Sequence, residues 1–367
     1  MKRNIFIFEN TNSLHIEESL VTLLDIFKEN NNVQIVLNDK AYTRVSNNSK
    51  LSNYIIKSNG VFELLSFIKQ VHKDDIVIFP TISTRNISLL YFLSFFIKNN
   101  IYYIRNSNSW IKYANHQKEV KYKLLSNITT FFKKQLLKKA YQIFVANNNL
   151  KSYLQKNGVE NIINIVPYKI FDETYYKKSN YDKKINIVIP GAIDISKKDL
   201  PLVREATKLL SNEIKKKINL ILLGKPSRDI DKVFCKEWKT EMGSSLTYYT
   251  EFISDDDFTS VLQEAHFILG VLEIEYEDKY NKEIYGQTKD TGIEAQAIAY
   301  GKPLIINEEF QEIDEINSST CKFKDFNELN NILEKITTSN YNEIATIALD
   351  NCKKISLEKI RKNMKDF

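Results

Sequence analysis

The feature that most limits what this chain can fold into is a regular alternation of short β-branched runs with longer stretches of helical spacing. In the first half, Asn4–Phe8, Val33–Leu37, Asp75–Phe79, Ile101–Ile104 and Gln142–Val145 read as strands, and Glu17–Lys28, Val61–Val71 and Glu119–Ala140 as helices. Strands separated by helices pair in parallel through crossovers, which predicts an α/β sheet. The run IVIF at Ile76–Phe79 is apolar without interruption, as suits a strand covered on both faces. The rhythm stops at the polar stretch FDETYYKKSNYDKK, residues 171–184, and restarts with strands at Ile185–Pro190, Asn219–Leu223, Phe267–Val271 and Pro303–Ile306. Helical spacing fills Leu200–Leu210, Asp255–Glu264 and Gly292–Tyr300, and closes the chain around Phe326–Ile336 and Tyr341–Met364. The expectation is a Rossmann-like domain over 1–170, a linker over 171–184, a second Rossmann-like domain over 185–345, and a terminal helix over 346–367 that packs back on the first. Two such domains would face each other across a cleft.

Length and composition agree. At ~100–200 residues per domain, 367 residues make two domains. A chain 43% hydrophobic and 27% charged can bury a core, which excludes wholesale disorder. Cys235, Cys321 and Cys352 are odd in number and widely spaced, so neither a disulfide framework nor a cysteine zinc site is expected. The opening MKRNIFIFEN lacks the long apolar stretch and cleavage site of a signal peptide. The longest apolar stretch, Ile87 to Ile97, is far short of the ~20 residues that span a bilayer. A cytoplasmic protein, or one at the inner membrane face, is expected. A net charge of +6 with interspersed signs and no basic stripe argues against a nucleic-acid partner.

Three segments could carry chemistry. In YGQTKDTGIEAQAIAYGKPLII, residues 285–306, Thr291 or Asp290 can cap a helix whose first backbone N–H groups attract an anion such as phosphate. Gly286 and Gly292 permit close backbone approach, and Lys289 adds positive charge; a capped helix with an exposed lysine is the plain alternative. The strand ending Pro190-Gly191 leads to Lys197 and Lys198, and the next strand ends in Gly224 and Lys225. Both place cations at the carboxyl edge of the sheet, where open α/β sheets bind ligands. In a chain this rich in lysine, such residues are otherwise ordinary surface.

These pieces, in order, resemble the nucleotide-sugar-binding half of GT-B glycosyltransferases, closest to glycosyltransferase family 4. INIVIPGAIDISKKDL resembles the family's strand–Gly–Lys opening, NLILLGKP its next strand, and QAIAYGKPLI its closing EAxAxGxPvI signature. YYTEFISDDDFTSVLQEAHFILGVL resembles the loop–helix–strand in which backbone meets the nucleobase, which implies a contact at Ile253. FFKKQLLKKAYQIFVANNNLKSYLQKNGVENIINIVPY resembles the end of the acceptor domain. The family's paired acids correspond here to Thr288 and Gln296, with Glu294 two positions away, and its strand-end Arg to Ala192. The YGxxKxTG string resembles a variant group that includes galactofuranosyltransferase-like enzymes.

The resemblance implies a nucleotide-diphosphate sugar as donor, a glycan or lipid-linked acceptor, and no cofactor or metal. Donor contacts are then expected from Gly191, Lys198, Gly224, Lys225, Ile253, Tyr285, Gly286, Lys289, Thr291, Gly292 and Glu294. Lys198, Lys289 and the Thr291–Gly292 helix start would offset charge on the departing diphosphate. A base for the acceptor is sought at His15, Glu17, Glu18 or His116, with His15 the leading candidate. Asp255, Asp256 and Asp257 resemble an acidic metal motif but sit where Ser254 would start a helix, so capping is expected instead. Glu273, Glu275, Glu277 and Asp278 read as a solvated acidic loop. The segment Lys118–Lys139 sets apolar residues among seven lysines and reads either as a membrane-surface helix or as a core helix with a charged outer face. The functions implied are a hexosyl-type transferase of bacterial-type surface polysaccharide synthesis, a nucleotide-sugar epimerase, or a catalytically silent glycan-binding relative.

Overall fold

The computed structural model describes all residues except 1, 10, 12–15, 59–67, 83–86, 115–116, 180–183, 279, 339–340 and 365–367. His15, His116 and most of the helix expected at Val61–Val71 lie outside the described residues. The chain divides into two compact units. The first gathers Met1–Lys169, Glu275–Asp290 and Leu357–Phe367; the second holds Ile170–Ile274 and Thr291–Ser356.

The first unit is built on a seven-stranded sheet in the order β3-β2-β1-β4-β5-β6-β7. Its strands are β1 (Arg3–Glu9), β2 (Asn31–Asn38), β3 (Ile55–Ser58), β4 (Ile76–Phe79), β5 (Asn99–Ile104), β6 (Gln142–Val145) and β7 (Ile163–Ile165). Every pairing is parallel. All four side chains of β4 are buried, as an uninterrupted apolar strand requires. The second unit has six parallel strands in the order β10-β9-β8-β11-β14-β15. These are β8 (Ile185–Pro190), β9 (Ile218–Leu223), β10 (Leu246–Tyr248), β11 (Phe267–Gly270), β14 (Leu304–Asn307) and β15 (Thr320–Phe323). Both sheets thus carry the doubly wound order in which the first strand lies centrally and the winding reverses beside it. The expected α/β class holds in both units.

The core of the second unit is a continuous cluster around Trp238, Phe267 and Phe323. Trp238 is fully buried, and its indole N–H donates to Thr207 Oγ1 at 3.0 Å, so its one polar atom is satisfied. Lys302 is also buried; its ammonium donates to Lys177 O, Ser179 Oγ and Gln263 O at 2.7–2.9 Å, which uses all three donors of the group.

Two features depart from the reading by sequence. The Tyr341–Met364 stretch is two helices, Tyr341–Lys353 and Leu357–Asn363, divided where Ser356 bridges to Phe171. In the second helix Arg361 Nε donates to Asp25 O at 3.0 Å, inside the first unit. The acidic stretch expected to be a solvated loop contains β12 (Glu275–Glu277), which pairs antiparallel with β13 (Lys282–Ile284).

That hairpin is held in the first unit by a buried carboxylate. Glu283 is fully buried and accepts from the backbone N–H groups of Asn108 and Ser109 at 3.1 and 3.0 Å. Asn108 Nδ2 donates to Lys282 O at 2.8 Å, and the buried Lys133 ammonium donates to Ser109 Oγ at 2.9 Å. Burial raises the Glu283 pKa and pushes that of Lys133 down to about 8, partly offset by the field of Glu283. Glu283→Ala should therefore cost about 3 kcal/mol, because it leaves two buried amides without their acceptor and removes the negative charge whose field favours the buried Lys133 ammonium. Urea unfolding measures the loss, and limited proteolysis should cut within 275–290 faster than in the wild type.

Candidate functional site

At the carboxyl edge of the second sheet the winding reverses between β8 and β11. There the chain leaving β8 turns through Gly191, whose φ of +89° lies in the left-handed region that favours glycine. The loop after β9 runs beside it: Ile193 N donates to Lys225 O at 3.1 Å, and Ser227 N to Ile193 O at 3.0 Å. The two loops cross so closely that a Cβ on Gly224 would lie 2.4 Å from the Gly191 carbonyl oxygen. No side chain fits at that crossing.

Lys198 closes the turn. Its ammonium donates to the carbonyls of Pro190 and Gly191 at 2.7 and 3.0 Å, so a third donor remains for a ligand. Burial lowers its pKa to about 8, with Asp194 pulling the other way. Sequence reasoning overlooked the residues that set this loop. Asp194 Oδ1 accepts from the Ser196 amide and hydroxyl at 3.0 and 2.6 Å, and the Lys198 amide donates to Asp194 O at 3.0 Å. The fully buried Asp231 accepts from Ile195 N at 3.1 Å and from Arg228 at 2.9 and 3.0 Å. Arg228 reaches Asp194 as well, at 2.9 Å. These hydrogen bonds hold both acids below the usual carboxylate range. A DxSKKDL loop followed by RDID 34 residues later gives no hint of such pairing in the linear sequence.

Behind β11, the helix Gly292–Tyr300 is capped by Thr291, whose Oγ1 accepts from Ile293 N at 3.2 Å. Gly270 lets this helix sit close, since a Cβ there would lie 3.1 Å from Ile293 Cγ2. Gly292 is exposed, and a Cβ on it would point into open space. Glu294 is buried, and its Oε1 accepts from Ile313 N at 3.0 Å. Ile253 is buried, and Lys225 pairs at 3.6 Å with the exposed Glu251. Ser254 Oγ accepts from Asp257 N at 3.1 Å, so the Asp255–Asp257 triplet does open a helix, Asp255–Glu264, as its position foretold.

Lys289 belongs to the first unit. Its ammonium donates to Asn106 Oδ1 at 2.7 Å and lies 5.1 Å from the ring centre of Tyr276 and 5.8 Å from that of Tyr285. Burial lowers its pKa, with Asp290 opposing. Gly286, at φ +80°, donates its N–H to Lys289 O at 2.9 Å, and Thr288 Oγ1 accepts from Ile284 N at 2.7 Å. Thr288 is thus a buried turn residue. Asp290 does not cap the helix; it pairs at 3.0 Å with Arg105, whose guanidinium also stacks 4.1 Å from the centre of the Tyr168 ring. Arg105 is a further residue that sequence reasoning missed, because its partner lies 185 positions away. Of the acids considered as base, Glu17 accepts from Asn48 Nδ2 at 2.5 Å and Glu18 pairs with Lys169 at 2.6 Å.

The chain is similar over its whole length to several solved structures. A glycosyltransferase from Rickettsia africae matches at 13% identity and a TM-score of 0.63, covering 100% of this chain and 97% of that one. The lipopolysaccharide outer core galactosyltransferase WaaB matches at 12% identity and 0.61, covering 99% and 98%. An alpha-glucosyltransferase in complex with UDP-glucose and DNA containing an abasic site matches at 14% and 0.60, covering 100% and 99%. At these identities the likeness establishes the fold, which is GT-B. No family model and no curated protein matches the chain.

Glycine substitutions separate the tight crossing from the open helix start. Gly224→Ala should cost about 2 kcal/mol or more, since the clashing atoms are backbone. Gly292→Ala should be neutral or stabilising by about 0.5 kcal/mol. Urea denaturation of the two variants measures both.

Proposed function

We propose that this chain is a glycosyltransferase that moves a sugar from a nucleotide-diphosphate sugar to a glycan or lipid-linked acceptor in bacterial-type surface polysaccharide synthesis. The observation that carries the reading is the edge of the second sheet at the reversal of winding. A glycine turn, a half-buried lysine and a capped helix start lie there, a set suited to a diphosphate. Among the similar proteins, one is described with UDP-glucose and another acts on the lipopolysaccharide outer core, which fits this donor class and acceptor setting.

In the reaction the bond between the sugar's anomeric carbon and the diphosphate oxygen breaks. Negative charge grows on the departing nucleoside diphosphate, and fixed cations and N–H dipoles stabilise it without reorganising. Lys198 and the Thr291–Gly292 helix start take that part in the second unit. Lys289 is assigned a second phosphate contact. Gly191 and Gly224 give backbone access, and the nucleobase meets the chain near Ile253. The acceptor hydroxyl loses its proton to a base, and His15 is the candidate.

A silent relative is the second reading. Where the resemblance calls for two acids, Thr288 holds a turn, while the neighbouring Glu294 carboxylate is committed to Ile313 N. Incubation with UDP-, GDP- and CDP-sugars and membrane-extracted acceptor decides between the two: labelled sugar in the acceptor fraction supports transfer. Bound donor without turnover supports the silent relative, and an altered donor sugar with no acceptor present supports epimerisation.

Two consequences follow for binding. Lys289→Ala should weaken a nucleoside diphosphate at least ~10-fold while leaving the parent nucleoside within about twofold, because a charge-assisted contact is lost only with phosphate; equal losses by calorimetry would remove Lys289 from the site. Lys198 must be charged to bind, and its pKa in the free protein is about 8. Diphosphate affinity should therefore fall as pH rises through 8 to 9. The bound anion raises the lysine pKa, so binding in that window should take up a proton. Titrations in buffers of different ionisation enthalpy read that uptake directly.

A further inference from the structure

The helix Val120–Lys139 is turned inside out. Its buried face carries Ser126, Thr129, Thr130 and Lys133 with only Leu136 and Leu137, while Val120, Leu124, Leu125, Ile128 and Phe131 are exposed. Positions 120, 124, 128 and 131 follow one another along a single stripe of an α-helix. The polar side faces inward because it has acceptors there: Ser126 Oγ donates to Tyr280 O at 2.7 Å, and Lys133 to Ser109 Oγ at 2.9 Å.

The exposed stripe continues onto the helix Ile87–Leu93 and the residues just after it. Phe131 packs on Phe132 and Phe132 on Tyr91, with ring centres 5.6 and 5.5 Å apart; Tyr91 meets Phe95 at 5.2 Å, and Phe92 meets Phe96 at 5.3 Å. Phe92, Phe95 and Phe96 are 54%, 62% and 63% exposed, a degree that sets them apart from scattered surface apolar residues. Lys98, Lys121 and Lys138 are exposed around the patch, and Lys139 lies over the Tyr91 ring at 4.9 Å. Residues 87–98 contain no acid, and 117–141 contain only Glu119.

We propose that this face of the first unit docks on an anionic lipid bilayer, with the aromatic and aliphatic side chains entering the headgroup boundary and the lysines on lipid phosphates. It rests on the reading above that the acceptor is lipid-linked, and names the surface that would bring the chain to it. Charge decides against a second copy of the chain as the occupant. A two-fold pairing would set this lysine-rich face against itself, whereas an anionic leaflet attracts each cation. Among the described residues no helix is long and apolar enough to cross a membrane, so the contact is with the surface.

Flotation of the full chain tests this, with vesicles of phosphatidylcholine alone or mixed equally with phosphatidylglycerol. The wild type should float with the anionic vesicles, less so at raised salt, and remain behind with the neutral ones. Phe95→Ser/Phe96→Ser and, separately, Leu124→Ser/Ile128→Ser should each weaken flotation at least ~10-fold, with unchanged melting temperature and unchanged nucleoside diphosphate binding in solution. A wild type that fails to float, variants that float as well as it does, or a wild-type dimer dissolved by either double substitution would overturn the proposal. Flotation without any nucleotide binding would instead keep the docking face and remove the transferase reading.

Discussion

The geometry of the second unit depends on a crossing of two loops too close for a methyl group. Gly224 passes 2.4 Å, measured from where a Cβ would stand, from the Gly191 carbonyl. That carbonyl and its neighbour at Pro190 are gathered by the Lys198 ammonium. Three effects converge on one turn: a positive φ that only glycine takes without strain, a contact that excludes side chains, and a cation desolvated to hold two carbonyl dipoles. Asp194, Asp231 and Arg228 then lock the loop that carries Lys198. A lysine held this firmly loses little freedom when an anion arrives, which is the condition for useful charge stabilisation.

The first unit solves a different problem. It takes in residues 275–290 from far along the chain, and does so through a carboxylate with no exposure. Glu283 meets two backbone amides, Lys133 meets Ser109, and Arg105 meets Asp290. Because these anchors draw the polar side of the Val120–Lys139 helix inward, its apolar side is left outside. The exposed apolar stripe of that helix is thus a consequence of how the hairpin is tied down.

Much of the architecture was legible in the residues. Long β-branched runs with helices between them gave the parallel sheets, with Gln142–Val145, Ile185–Pro190, Asp255–Glu264 and Gly292–Tyr300 matching to the residue. The three-residue strands Ile163–Ile165 and Leu246–Tyr248 were not, because so short a run shows no alternation. The Val120–Lys139 helix was recognised as amphipathic, but which face was buried could not be known. That choice is made by Tyr280 and Ser109, partners that no periodicity reveals. Lys198 and Gly224 were identified from their place after strand ends, while Asp231, Glu283 and Arg105 act through partners distant in sequence or through backbone groups.

The most direct test of the central claim is calorimetric titration of the full chain with UDP, GDP and CDP and with the matching nucleosides, each with and without EDTA. Clear, EDTA-insensitive binding of one diphosphate and at least ~10-fold weaker binding of its nucleoside are expected if the phosphates are held by Lys198 and the helix start, as proposed. Equal affinity for nucleoside and diphosphate, or no binding of any diphosphate, would contradict it.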